Sequence, residues 1–368
     1  MSERIRKITM PKWGLSMKEG RLNAWLVAEG TRLEPGMEIA EVESDKIAGT
    51  LEASVAGPLR RRVAREDETL PVGALLAVAA EAEVPDAEID AFITEFNASF
   101  VSAEETEDAE LGPSTVEVEG RRIAYVVRGE GGDPLLLIHG FGGDKNNWLF
   151  NHDVLAAERV VYALDLPGHG ESEKRIEGDA GPEGMAATLL GFMDALGIER
   201  AHLAGHSFGG AVAMTAARRA PERVLSLGLV ASAGLGPEID ADYLRGFATT
   251  NSRNQLKKLA QRLFADDSLV TRSLVEDLLK YKRLDGVAES LAAIADSVLE
   301  GDRQRLQFGE TIAALDIPIR LIWGEADRII PATHATALGD AAEVHVLPGA
   351  GHMVMMEAAK EVNQLLAR

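Results

Sequence analysis

Two periods of hydrophobicity divide the chain. In Met37-Glu38-Ile39-Ala40-Glu41-Val42-Glu43 apolar and polar residues alternate, the pattern of a half-buried strand. Lys7-Ile8-Thr9-Met10, Arg21 to Val27 and Ile47 to Ala53 read the same way, with Glu29-Gly30, Glu34-Pro35-Gly36, Gly57-Pro58 and Val72-Gly73 as turns between strands. The first 80 residues therefore predict a small β domain. Further on, Ile89, Phe92, Ile93, Phe96 and Phe100 recur at helical spacing behind Asp86, a residue type that caps helix starts. This predicts an amphipathic helix over 86–100, docked on this chain's own domains or on another subunit. Beyond residue 113 the pattern changes again. Val116 to Gly120 and Ile123 to Val127 read as an opening hairpin. Short apolar runs at Leu135–Ile138, Ala201–Ala204, Val224–Ala231, Ile317–Trp323 and Val344–Leu347 alternate with helical stretches at 183–196 and 211–217. Buried strands alternating with helices predict an α/β sheet. Asp240 to Glu310 reads as helical throughout, with Leu256, Leu259, Leu263, Leu274, Leu278 and Leu279 among its apolar positions.

Charge sharpens the boundaries. The 368 residues carry a formal net charge of −21. Residues 1–80 hold 12 basic and 12 acidic side chains, whereas 81–113 hold 11 acidic and no basic ones. That break separates a domain at 1–80, an acidic linker at 81–113 and a domain at 114–368. Residues 101–113, rich in Glu, Asp and Ser, read as disordered. The acidic balance argues against nucleic acid or an anionic membrane as the main partner. There is no cysteine, which excludes disulfides, thiolate metal sites and a cysteine nucleophile. Arg4, Arg6 and Lys7 precede no apolar core of signal-peptide length, and no apolar run is long enough to span a membrane. A soluble cytoplasmic protein is expected.

The candidate chemistry centres on Gly205-His206-Ser207-Phe208-Gly209, placed between a predicted strand and a helical run of small residues. A serine at such a sharp turn needs small flanking residues, so that strand and helix approach while the hydroxyl stays exposed. Upstream, the strand ending at Ile138 enters His139-Gly140-Phe141-Gly142-Gly143. The backbone N–H of Phe141 in this loop, with that of Phe208 after the serine, is suited to receive a developing oxyanion. Downstream, one apolar strand ends in Gly324-Glu325-Ala326-Asp327 and the last leads to Gly349-Ala350-Gly351-His352. His352 is positioned to take the proton of Ser207, with Asp327 holding its ring in the required tautomer. Asp165 precedes the serine, the wrong order for the acid, and Glu325 lies two residues from Asp327. Serine, then acid, then histidine over residues 114–368 resembles the α/β-hydrolase family. The Asp165-Leu166-Pro167-Gly168-His169-Gly170-Glu171-Ser172 run belongs to the same resemblance, which implies structural roles for Asp165 and His169. In that family a helical insertion covers the serine, so about 240–310 is expected to form a lid.

The N-terminal segment carries a second resemblance. Met10-Pro11-Lys12-Trp13-Gly14, Glu19-Gly20, Glu43-Ser44-Asp45-Lys46 and Ala56-Gly57 are similar to the lipoyl domain of 2-oxo acid dehydrogenase acyltransferase subunits. That implies a flattened barrel with lipoate amidated to Lys46. Biotinyl domains share the architecture but place their lysine between methionines; Ser44-Asp45 before Lys46 and Ile47 after it favour lipoyl. The expected chain is thus multidomain: a small all-β lipoyl domain followed by an α/β-hydrolase domain with a helical lid.

This fusion resembles the acyltransferase component of bacterial acetoin-cleaving dehydrogenase systems. The resemblance implies acetyl transfer from dihydrolipoyl to CoA, alongside a thiamine-diphosphate-dependent acetoin dehydrogenase, a flavin-dependent dihydrolipoamide dehydrogenase and a lipoylating enzyme. No metal is expected. The chain departs from the usual acyltransferase core, whose His-x-x-x-Asp-Gly motif is absent: Asp285-Gly286 has Tyr281 in the histidine position. Transfer through an acyl-Ser207, hydrolysis of a thioester, ester or diketone with the lipoyl domain as tether, and a carrier with an unused hydrolase fold all stay open. No CoA motif is legible.

Overall fold

Short alternating segments separated by glycine turns cannot extend far, and the first part of the computed structural model is built from eight of them. The structure describes residues 5–11, 17, 19–34, 36–43, 48–53, 55–100 and 114–367. Strands β1 (Ile5–Thr9), β2 (Glu19–Trp25), β3 (Arg32–Leu33), β4 (Glu38–Glu43), β5 (Ala48–Glu52), β6 (Gly57–Arg62), β7 (Glu68–Pro71) and β8 (Leu75–Ala80) form two four-stranded sheets. Their orders are β1-β8-β6-β3 and β5-β4-β2-β7. Ile8, Leu22, Leu33, Ile39, Val42, Leu59 and Leu76 fill the core between them. The alternation of β4 slips at Ile39-Ala40, both buried, where the register with β5 shifts by one residue. Glu43 pairs with Ala48; the connecting residues 44–47, and with them the candidate Lys46, lie outside the described residues. So does the 101–113 stretch read as disordered.

Strand β8 is the element that alternation misses. All six residues of Leu75-Leu76-Ala77-Val78-Ala79-Ala80 are buried, because helix α1 (Asp86–Ser99) covers the side that the barrel core does not. Ile89 is fully buried against Leu75, Val78, Ala80, Ile5 and Val84, with Phe92, Ile93 and Phe96 packed around them. The helix therefore docks on its own β unit. Asp86 does not cap it: Pro85 holds the cap position, and Asp86 instead pairs with Arg60 at 2.7 Å while Asp90 pairs with Arg61 at 3.2 Å. The chain divides into two units, residues 1–112 and 113–368.

The second unit is an eight-stranded mixed sheet in the order β18-β17-β14-β13-β11-β12-β10-β9. Strands β9 (Ser114–Val118) and β10 (Arg121–Arg128) form the opening antiparallel hairpin around Glu119-Gly120, both at positive φ. The remaining six run parallel: β11 (Leu135–Ile138), β12 (Val161–Leu164), β13 (Ala201–His206), β14 (Val224–Val230), β17 (Ile319–Gly324) and β18 (Glu343–Leu347). Helices α2 (Leu149–Leu155), α3 (Pro182–Ala195) and α4 (Phe208–Arg219) fall between them. Leu135 to Ile138 are buried throughout, the mark of a strand covered on both faces. Active sites of open parallel sheets lie beyond the carboxyl ends of the strands, and that edge is where Ser207, Asp327 and His352 fall.

The segment after β14 holds α5 (Ala241–Thr249), α6 (Arg253–Gln261), α7 (Arg272–Lys282) and α8 (Val287–Val298). It is not helical throughout. Two-residue strands β15 (Leu299–Glu300) and β16 (Arg303–Gln304) pair across Gly301-Asp302, with Gly301 at φ +59°, before α9 (Gly309–Ala313). A Gly-Asp step favours a tight turn over a helix. The chain closes with α10 (Val354–Glu357) and α11 (Ala359–Leu366).

Candidate active site

The turn from β13 into α4 places Ser207 at φ +52° and ψ −118°, a conformation that costs a non-glycine residue strain. Its surroundings hold it there. Ser207 N–H donates to the Val230 carbonyl at 2.9 Å, and the Ser207 carbonyl accepts from Ala233 and Gly210, each at 3.0 Å. Close approach also dictates the flanking glycines. A Cβ on Gly205 would lie 2.3 Å from the Gly209 carbonyl oxygen, and one on Gly209 would lie 2.4 Å from the Ile138 and His139 carbonyl oxygens. These contacts are backbone on backbone and have no room to yield.

Strands β17 and β18 bring the other two candidates together. The His352 Nδ1–H donates to Asp327 Oδ2 at 2.8 Å, which leaves Nε2 as the basic nitrogen. Asp327 Oδ1 is engaged as well, accepting from Ile329 N–H at 2.8 Å and Ile330 N–H at 3.0 Å. Its side chain is fully buried and that of His352 is 2% exposed. Glu325 is exposed, and Asp165 is occupied elsewhere.

Asp165 organises the loop beneath the oxyanion candidates. Its carboxylate accepts from Lys145 N–H at 2.7 Å, Lys145 Nζ at 2.8 Å and Glu171 N–H at 2.7 Å. Burial is the largest influence and opposes its charge, but Lys145, His139 and the Glu171 N–H together outweigh it and hold the carboxyl below its ordinary range. His139 donates from Nδ1 to the Gly140 carbonyl at 2.8 Å and accepts Leu166 N–H at Nε2, 3.0 Å. His169 accepts Gly142 N–H at Nε2, 3.1 Å, and donates from Nδ1 to the Pro167 carbonyl at 3.0 Å. A neutral ring is required in both, since each uses one nitrogen as donor and the other as acceptor. Burial keeps them so, lowering His139 and pushing His169 down to about 3. Between these anchors, the N–H groups of Phe141 and Phe208 have no protein acceptor among the described residues.

Both phenylalanines, Ser207 and His352 line a cavity of about 130 Å³. Tyr243, Leu244 and Phe247 of α5, Ala260 of α6, Leu274 and Leu278 of α7 and Val298 of α8 form much of its wall. No Asp, Glu, Lys or Arg lines it. Phe247 stands edge-on to Phe141 at 5.8 Å. Lys282 anchors α5 from behind, donating to the Phe247 carbonyl and, at 3.0 Å, to the Ala248 carbonyl, with its ammonium 5.1 Å from the Phe247 ring. Burial lowers Lys282 to about 8.

Two features were invisible in the sequence. His206 donates from Nε2 to the backbone carbonyl of His352 at 3.0 Å, a partner 146 residues away. The His139–His169 pair, with ring centroids 4.8 Å apart, packs beneath the loop that carries the oxyanion candidate Phe141. Asp285-Gly286 lies outside the site: Asp285 pairs with Arg175 at the surface, Gly286 starts α8 at φ +85°, and the Tyr281 hydroxyl donates to the Gly168 carbonyl at 2.8 Å. Among the described residues no group of acidic or histidine side chains is arranged to hold a metal ion, and no helix is long and apolar enough to cross a membrane.

Comparison with known proteins covers both units. Residues 133–359 match the model of the alpha/beta hydrolase fold, and residues 6–78 match a model described as biotin-requiring enzyme. A dihydrolipoyllysine-residue acetyltransferase component of an acetoin cleaving system from Pseudomonas putida is 53% identical over 98% of this chain and 97% of its own length. The protein of the same description from Cupriavidus necator is 48% identical over 100% of this chain and 98% of its own. Among solved structures, a meta-cleavage product hydrolase from Pseudomonas fluorescens superposes with a TM-score of 0.63 at 28% identity, covering 70% of this chain and 97% of that one. With full-length identity near one half and both domain models matched, the chain belongs to the family of dihydrolipoyllysine-residue acetyltransferase components of acetoin cleaving systems.

Proposed function

We propose that this protein transfers an acetyl group from lipoyl-Lys46 to CoA through an acyl-Ser207 intermediate. The observation that carries the reading is the buried Asp327–His352 pair, whose His352 shares with Ser207 a small cavity lined by no charged side chain. An acetyl group is small and uncharged, and fits such a lining.

Lipoate suits the residues present: Glu43 and Ala48 pair across a four-residue connection that contains Lys46, whose amine would take the amide. When attached, the group supplies a dithiol that presents acetyl as a thioester. Ser207 Oγ attacks the thioester carbonyl as His352 Nε2 takes its proton. The Phe141 and Phe208 N–H groups receive the oxyanion. Collapse expels the thiol, which leaves with the proton from His352, and acetyl remains on Ser207. The CoA thiol then gives its proton to His352, attacks the acyl carbon and releases Ser207 with its proton restored. No electrons are exchanged in either half. Throughout, Asp327 holds the ring with Nε2 facing the reaction and stabilises the imidazolium.

In this role the protein works within a cytoplasmic multienzyme system. A thiamine-diphosphate-dependent acetoin dehydrogenase loads the acetyl group, dihydrolipoamide dehydrogenase reoxidises the dithiol, and a lipoylating enzyme modifies Lys46. Peptide mass mapping of protein from a lipoate-supplied host tests the modification; lipoate on another lysine overturns it. Acetylated lipoyl domain plus saturating CoA tests the transfer. Acetyl-CoA should form faster than acetate, and Ser207→Ala should abolish it. Acetate dominating at every CoA concentration would make the protein a thioesterase.

A further inference from the structure

The uncharged lining of the cavity poses a question for the acceptor. Coenzyme A carries a neutral pantetheine arm and a strongly anionic phosphorylated adenosine. A cavity of about 130 Å³ with no cationic side chain suits the arm's thiol end and offers nothing to the phosphates. With the thiol at Ser207, the phosphates must rest on the outer surface of whatever walls the cavity.

Four helices of the insertion contribute to that wall, and their charges differ. Helix α5 carries Asp242 and Arg245, the latter paired with Asp302. Helix α7 mixes Arg272, Lys280 and Lys282 with Glu276 and Asp277. Helix α8 carries only Glu289 and Asp296. Helix α6, Arg253-Asn254-Gln255-Leu256-Lys257-Lys258-Leu259-Ala260-Gln261, has three cations and no anion, within a chain of net charge −21. Leu256 and Ala260 are buried on its inner side, Ala260 against the cavity itself. Arg253 is taken by Glu276, and Arg262, just past the helix, by Asp240. Lys257 and Lys258 are exposed, and neither has an ion-pair partner among the described residues.

We propose that the outer face of α6, through Lys257 and Lys258, is the docking surface for the phosphates of coenzyme A. This rests on the reading of CoA as acyl acceptor and adds the recognition that reading lacks. Two exposed ammonium groups without an ion-pair partner among the described residues, on the outer side of a helix whose Ala260 walls the cavity, attract a polyanion and repel nothing on pantetheine. They give the site a preference for CoA over both water and uncharged thiols without placing a charge inside the cavity. The attraction is screened by salt, as exposed charge pairs are.

The test is calorimetric titration of the full-length lipoylated protein with CoA and, separately, with pantetheine. Wild type should bind CoA more tightly than pantetheine, and added salt should narrow the gap. Lys257→Ala/Lys258→Ala should weaken CoA by about fivefold, the yield expected of two exposed charge pairs, and leave pantetheine unchanged. Lys257→Arg/Lys258→Arg should keep CoA binding, and a melting curve for each variant confirms the fold. Equal wild-type affinity for CoA and pantetheine, or an alanine variant that binds CoA as wild type does, overturns the proposal. The transfer reading fails separately. If the variant weakens CoA binding but no protein forms acetyl-CoA, the docking surface stands and transfer falls. If acetyl-CoA forms with an unchanged KM for CoA in the variant, transfer stands and the docking surface falls.

Discussion

His206 Nε2 donates to the backbone carbonyl of His352 at 3.0 Å, and the two rings lie 4.7 Å apart. The residue before the candidate nucleophile therefore holds the loop that carries the candidate base. Burial, and then the neighbouring His352, keeps His206 neutral well below its ordinary range. A charged His206 would oppose the imidazolium that His352 becomes in the proposed reaction.

The first prediction follows from that contact. His206→Leu should lower kcat for p-nitrophenyl acetate by about 10²-fold, the scale of a misplaced catalytic group, with KM little changed. His206→Gln offers an amide nitrogen near the Nε2 position and should restore much of the rate. A purely structural role would lower both variants together with thermal stability.

For the proposed triad, Ser207→Ala should abolish ester turnover while leaving the fold and Lys46 modification intact. Asp327→Asn should lose about 10⁴ in kcat, because an amide hydrogen-bonded to Ile329 and Ile330 through its oxygen turns its NH₂ toward His352 and selects the wrong tautomer. Steady-state kinetics of the purified variants decide this. Near-normal turnover in Asp327→Asn would move the acid elsewhere.

Acid should destabilise the hydrolase unit through its buried histidines. His139, His152, His169 and His206 are all lowered, chiefly by burial. For His169 the shift runs from 6.5 to about 3. The unfolded chain protonates below 6.5 while the folded ring stays neutral, so stability is full above that pH and falls as pH drops toward 3. Each such histidine contributes a slope of about 1.4 kcal/mol per pH unit within its window. Melting temperatures between pH 7 and pH 5 should fall steeply, and His169→Asn should flatten the fall.

In the N-terminal unit, Ile89→Ala should cost about 3 kcal/mol, the usual range for emptying a fully buried aliphatic site. Ile89 is fully buried between α1 and β8, so ending the domain at residue 80 should expose Leu75 and Val78. Chemical denaturation of residues 1–100 against 1–80 reads this directly: equal stability would mean that the helix adds nothing.

Local chemistry determined much of this protein on its own. The Gly205–Gly209 turn needs small residues at fixed offsets whatever surrounds it, and the hairpin at Glu119-Gly120 is a property of two residues. Ser207, Asp327 and His352 each follow a short apolar run, so their order was legible before any contact was known. The alternation of Glu38–Glu43 likewise marks a strand with one buried face.

Where a second layer intervenes, that legibility ends. Strand β8 shows no alternation because α1 covers its other side, and α1 in turn follows Pro85 while Asp86 reaches across to Arg60. The Leu299–Gln304 hairpin hides in a leucine-rich helical region until Gly301 turns the chain. Only the tertiary structure joins His206 to His352, Asp165 to Lys145 and Lys282 to Phe247, pairs separated by 20 to 146 residues. A buried polar group must be satisfied by whatever the fold brings to it, and local sequence does not record which distant group that is.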